Sequence, residues 1–144
     1  MIKQITVAII TPTHDKKSFE LGLQLAKKLD CPLSVIECFY QKPPTFHFFE
    51  TKTDKIALQK RKDQIKNELS KWEKAAAKQN VPIKTKFALT DSITHWMIDY
   101  VNENKVDLLI VDYPKLSMTE STLYDDIINT IHHKAKCHVL TTKP

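Results

Sequence analysis

The sequence predicts an α/β domain with three layers, helices lying on both faces of a five-stranded parallel sheet of order 3-2-1-4-5. Two observations predict it. Short apolar, β-branched runs alternate with longer helical patterns along the chain, giving β-α-β-α-β-α-β-α-β. The length, 144 residues, suits one domain spanning 1–144. Right-handed crossovers between parallel strands then distribute the helices over both faces.

Each element has its own justification. Ile5 to Ile10 is a continuous apolar run, as a strand buried on both faces requires. Asp15 or Ser18 is placed to cap a helix whose stripe is Phe19, Leu23, Ala26 and Leu29, and Cys31-Pro32 ends it. Leu33 to Phe39 reads as the second strand, followed by a long connection, 40–53, containing Pro43-Pro44. A long helix from about Asp54 to Gln79 carries Leu58, Ile65, Leu69, Trp72 and Ala76 on one face. Asn80-Val81-Pro82 breaks it. Ile83, Thr85, Phe87 and Leu89 alternate with Lys84 and Lys86, the pattern of a strand near a sheet edge. Asp91 or Ser92 caps a third helix that buries Ile93, Trp96, Met97, Tyr100 and Val101. Val106 to Val111 is the fourth strand. Leu123, Ile127, Ile128 and Ile131 mark the fourth helix, and His138 to Thr142 closes the sheet.

In a doubly wound sheet, ligands bind at the carboxyl ends of the strands, where the strand order reverses. Here that crevice lies between the first and fourth strands. Its walls are Thr11-Pro12-Thr13-His14-Asp15 and Asp112-Tyr113-Pro114-Lys115.

Composition narrows what the crevice can hold. Gly22 is the single glycine, where average usage would give about ten. No G-x-G-x-x-G turn, P-loop or G-x-S-x-G elbow is therefore present. The formal net charge is +5, and Arg61 is the lone arginine among 22 basic residues. Arginine dominates guanine readout, so sequence-specific nucleic-acid recognition is not expected. Lys60, Arg61, Lys62, Lys66, Lys71, Lys74 and Lys78 on the second helix read as a solvated face, with non-specific attraction to anions as the alternative. Cys31, Cys38 and Cys137 lack C-x-x-C spacing, which suggests reduced thiols in the cytoplasm. No apolar run approaches the roughly 18 residues of a transmembrane segment.

The pattern as a whole resembles the universal stress protein family. The resemblance rests on Ile5-Thr-Val-Ala-Ile-Ile, Leu21 to Leu29, Thr90-Asp91-Ser92, Val106-Asp107-Leu108-Leu109-Ile110-Val111 and Cys137-His138-Val139-Leu140, in that order and spacing. Ile10-Thr11-Pro12-Thr13-His14-Asp15 is most similar to the degenerate domains of tandem family members. The resemblance implies the adenine nucleotide alpha hydrolase-like fold and a role in stress response. Nucleotide-binding members carry G-x2-G-x9-G-[ST] after the fourth strand. Those positions fall here on Asp112, Lys115, Asp125 and Asp126, and none matches. A carboxylate about 4 Å from a phosphate costs on the order of 1 to 4 kcal/mol. The fourth helix is expected to start near Asp125 and Asp126, so that its dipole already faces the protein's own acids. Ile10 or Thr11 replaces the family's acidic residue at the end of the first strand.

The expectation is a domain that does not bind ATP and needs no cofactor. It would act through a partner protein or another ligand, pairing as a homodimer or with a tandem partner through residues 137–142. The alternative is an ATP- or AMP-binding signalling module in which Lys115, on a rearranged loop 112–122, replaces the glycine cradle. Phe39-Tyr40 and Phe46-His47-Phe48-Phe49 suggest either a lid over a small apolar ligand near 39–49 or rings tucked beneath the second helix. His132, His133, Cys137 and His138 have ligand chemistry but read as a helix end followed by a strand start, not a metal site. His14-Asp15 has the residue types of an acid–base pair in the crevice, but adjacent turn residues diverge and Asp15 is placed to cap a helix; Thr11, Thr13 and Ser117 are nucleophiles only with a base aimed at them. Enzymatic activity is therefore not expected.

Overall fold

A computed structural model describes residues 1–10, 16–40, 51–113 and 117–143. The elements are β1 (Ile5–Ile9), α1 (Lys17–Leu29), β2 (Leu33–Tyr40), α2 (Lys52–Lys78), β3 (Ile83–Thr90), α3 (Ile93–Glu103), β4 (Leu108–Val111), α4 (Met118–Lys134) and β5 (His138–Thr141). All pairings are parallel and the order is β3-β2-β1-β4-β5, as the alternation of runs predicts. β1 is central and every one of its residues is buried.

Strand alternation sends side chains to two cores, one on each face of the sheet. Val7, Ile9, Val35 and Ile110 pack against Phe19, Leu23 and Ala26 of α1 and Ile65, Leu69, Trp72 and Ala76 of α2. Ala8, Ile36, Leu109 and Val111 pack against Met97, Ile98 and Val101 of α3 and Tyr124, Ile128 and Ile131 of α4. The Phe19 and Trp72 rings stack at 5.4 Å and tie α1 to α2.

Gly22 sets how closely α1 approaches the sheet. A Cβ there would lie 2.4 Å from Val7 Cγ2, well inside van der Waals contact. The helix ends use no glycine at all. Asp30, Asn80 and Lys105 take the left-handed conformation at φ 51°, 58° and 53°. After each, the next amide bonds back five residues: Cys31 to Ala26, Val81 to Ala76 and Val106 to Val101. These are Schellman turns, and each delivers a buried apolar residue just ahead of β2, β3 or β4.

Several boundaries differ from expectation. Ser18 does not cap α1 but lies buried inside it, with Lys16 at the cap position; Asp15 lies outside the described residues. Leu29 is exposed, because the chain turns left-handed at the next residue. α2 starts at Lys52, because Thr51 and Asp54 form a reciprocal capping box. Of the two caps proposed for α3, Ser92 is the one used. β4 starts at Leu108, since Val106 belongs to the preceding turn. β2 continues to Tyr40.

The largest shift is in α4, which begins at Met118 and not near Asp125. With no glycine between 117 and 134, the pattern continues upstream for two further turns. Leu123 is consequently exposed, and Tyr124 takes the buried position.

Candidate functional site

The crevice predicted between β1 and β4 is bounded by Ile10 on one side and Asp112 and Tyr113 on the other. Both Ile10 and Asp112 are buried. The Asp112 amide donates to the Ala8 carbonyl at 3.2 Å, which extends the sheet ladder one residue past β4. Thr11, Pro12, Thr13, His14, Asp15 and Lys115 lie outside the described residues, as do 41–50 of the aromatic connection.

The remaining candidates meet α4. The Tyr113 hydroxyl donates to Asp125 Oδ1 and lies 3.2 Å from Ser121 Oγ. The Tyr124 hydroxyl donates to the Asp112 carbonyl. The two phenol rings meet edge to face at 5.2 Å. Burial, with the nearby Asp112 next in weight, raises the Tyr124 hydroxyl far above the phenol range, so Tyr124 is neutral. Two tyrosines thus bridge the carboxyl end of β4 to the first half of α4.

The expected role of the helix dipole at Asp125 and Asp126 is corrected by this geometry. Both residues lie more than a turn inside α4, where the terminal amides are already bonded within the helix. Asp125 instead accepts from Tyr113. Asp126 is exposed one position further round the helix, and its carbonyl accepts from Thr130 at 2.8 Å.

Other candidates separate. Among the described residues no group of three or more His, Cys, Asp or Glu side chains could hold a metal ion. His132 and His133 occupy the last turn of α4, while His138 opens β5. All three cysteines are free, with Cys31 and Cys38 buried. Phe39 is half-buried beneath Arg61, whose Cζ lies 5.0 Å from the ring centroid, whereas Tyr40 is exposed. No described helix is long and apolar enough to cross a membrane. A cavity of about 270 Å³ opens at the other end of the sheet, beside Leu33, Ser34, Lys84 and Tyr100.

Glu37 belongs to none of the sequence motifs described above. This carboxyl lies on β2, beside central β1, is 1% exposed, and receives no hydrogen bond from any described residue. Burial pushes it up to about 7, Glu68 pushes in the same direction, and Arg61 opposes both. The available signal was one acid inside the apolar run Leu33 to Phe39.

The universal stress protein family matches over residues 1–143. No curated protein matches the chain significantly by sequence. Among solved structures it is similar to the universal stress protein UspA from Lactobacillus plantarum, with a TM-score of 0.79 at 13% identity, covering 99% of this chain and 98% of that one. It is also similar to an Arabidopsis thaliana family protein with AMP bound, with a TM-score of 0.68 at 15% identity over 98% and 91% of the two chains. A universal stress protein from Archaeoglobus fulgidus in complex with dAMP gives a TM-score of 0.65 at 13% identity over 99% and 100%.

Proposed function

The chain belongs to the universal stress protein family, and from that membership we propose a stress-response domain that does not bind ATP and works through a partner protein or another ligand. The observation that carries this reading is the hydrogen bond from Tyr113 to Asp125. Glycine-cradle members of the family close backbone amides around phosphates. Here one of the equivalent positions, Asp125, holds a side chain already bonded to Tyr113. A phosphate entering that space would face the Asp125 carboxylate and would have to break its bond to Tyr113.

Thermal melting in millimolar ATP or AMP tests the reading. No shift is expected, and a clear rise in Tm overturns it. The Asp125→Gly, Asp126→Ser double variant is a second test. Because α4 runs through both positions, it should gain no nucleotide affinity; a gain would mean that the rest of the cradle survives.

The second reading is a nucleotide-binding signalling module, favoured by the AMP and dAMP complexes of similar structures. It needs Lys115 to supply the missing donor, so Lys115→Ala would abolish a nucleotide-induced rise in Tm.

The domain in this proposal is not an enzyme, and it functions in the cytoplasm as a homodimer or with a tandem partner. β5 supports the pairing, since it ends the sheet and His138, Leu140 and Thr141 are exposed. An edge strand of this kind pairs readily. A gel-filtration mass equal to two chains, reduced to one by Leu140→Lys, is the expected outcome for the homodimer. A small apolar ligand near 39–49 would be seen by native mass spectrometry.

A further inference from the structure

The seam between α1 and α2 hides a carboxyl to which no described residue hydrogen-bonds. Val35, Glu37 and Phe39 point to the same face of β2. Glu37 is level with Ile9 of β1 and Phe87 of β3, both apolar. A buried polar group without a partner is rare in native proteins and costs stability, more so when charged. The strand could carry an apolar residue here, as it does at Val35 and Phe39.

Among the described residues, the charges that bear on Glu37 are Arg61 and Glu68 of α2. Arg61 and Glu68 are seven residues apart, on the same flank of the helix. That flank faces α1, because the neighbouring Trp72 stacks on Phe19, whereas Glu73, on the opposite flank, accepts from Thr85 of β3. Arg61 is not bonded to Glu37. It rests over the Phe39 ring two residues along the strand. The guanidinium thus rests on the aromatic face of Phe39 while its charge acts on the Glu37 carboxyl two residues back along the strand.

We propose that Glu37, Arg61 and Phe39 form a proton-operated switch, in which ionisation of Glu37 draws Arg61 off the Phe39 ring and shifts the N-terminal half of α2 against the sheet. The balance is a single proton. It leaves the Glu37 carboxyl for solvent, and the resulting carboxylate pairs with a guanidinium that stays charged throughout. The N-terminal half of α2 is the part free to respond. Its first thirteen residues are exposed or half-exposed, whereas Ile65, Leu69, Trp72 and Ala76 anchor the rest. β2 ends at Tyr40, three residues beyond Glu37, so the movement would reach the carboxyl end of the sheet.

The experiment is a pH titration of the full chain by carboxyl ¹³C NMR, with the side-chain Hε resonance of Arg61, the lone arginine, read in parallel for the ring-current shift of Phe39. Glu37 should titrate near neutrality, and the Arg61 resonance should move with the same midpoint. Arg61→Met should move the Glu37 midpoint up and Glu68→Gln should move it down, a pair of opposite shifts that an unrelated titration would not give. Glu37→Gln should abolish the Arg61 change, which separates it from histidine titration in the same range. A Glu37 midpoint in the ordinary carboxylate range, or an Arg61 response that persists in Glu37→Gln, overturns the proposal. If Glu37→Gln does not fold, the two midpoint shifts decide it.

Discussion

Glu37 shows how one residue can set the pH dependence of the whole domain. Its folded-state value, about 7, lies above the ordinary 4.5. Between those values the folded chain binds a proton that the unfolded chain has lost, so stability falls as pH rises through this window and levels off above it. The loss should be on the order of 3 kcal/mol at full ionisation. Urea midpoints measured between pH 5 and 8 should decline in the wild type and decline much less in Glu37→Gln. Gly22 is the residue-scale counterpart for packing. Gly22→Ala removes a flexible helix position, which alone would stabilise by up to about 1 kcal/mol. The contact at 2.4 Å outweighs that gain. The expected net cost is about 1 to 3 kcal/mol, read as a lower Tm with secondary structure retained.

The helix ends are the features that organise the elements. Three of them use the same left-handed turn, and none supplies the residue type that favours it. Left-handed backbone costs a side-chain-bearing residue about 1 to 2 kcal/mol, less for Asp and Asn. Lys105 has no such allowance, so Lys105→Gly should stabilise by about 0.5 to 1 kcal/mol, more than Asn80→Gly, as thermal melts of the two variants would show. At the other end of α2, Thr51→Ala should cost about 1 kcal/mol by removing the capping box. Some of this local chemistry was legible in the sequence: the start of α3 was narrowed to Asp91 or Ser92, and Cys31-Pro32 and Asn80-Val81-Pro82 marked the stops, whereas the Thr51–Asp54 box was not anticipated and α2 was expected from about Asp54. α4 was misplaced because the notable feature of 117–126 is an absence. A missing glycine does not announce that a helix continues through its position.

At the scale of the molecule, layer order and strand order were legible because buried parallel strands have a plain signature: short β-branched runs between helical stripes. The crevice between β1 and β4 followed from that order. What fills it did not, because Tyr113 and Tyr124 lie 11 residues apart in sequence and meet only once α4 folds back over β4. Breaking that bridge should loosen the carboxyl end of β4 selectively. Tyr113→Phe loses the bond to Asp125 while keeping the ring contact. Hydrogen exchange should therefore quicken around 111–113 and in the first turns of α4, with the Phe19–Trp72 side unchanged.

The close approach of α1 has a consequence for how this sequence can vary. Val7 and Gly22 occupy one volume between them, so neither position is free to change alone. Val7→Ala opens a void, Gly22→Ala creates an overlap, and each should cost stability. Together they remove two methyl groups from the strand and add one on the helix where Val7 Cγ2 stood, so the double variant should recover part of what the singles lose. Across relatives that keep this spacing, the two sites are expected to trade bulk reciprocally, a covariation between a strand and the helix packed on it.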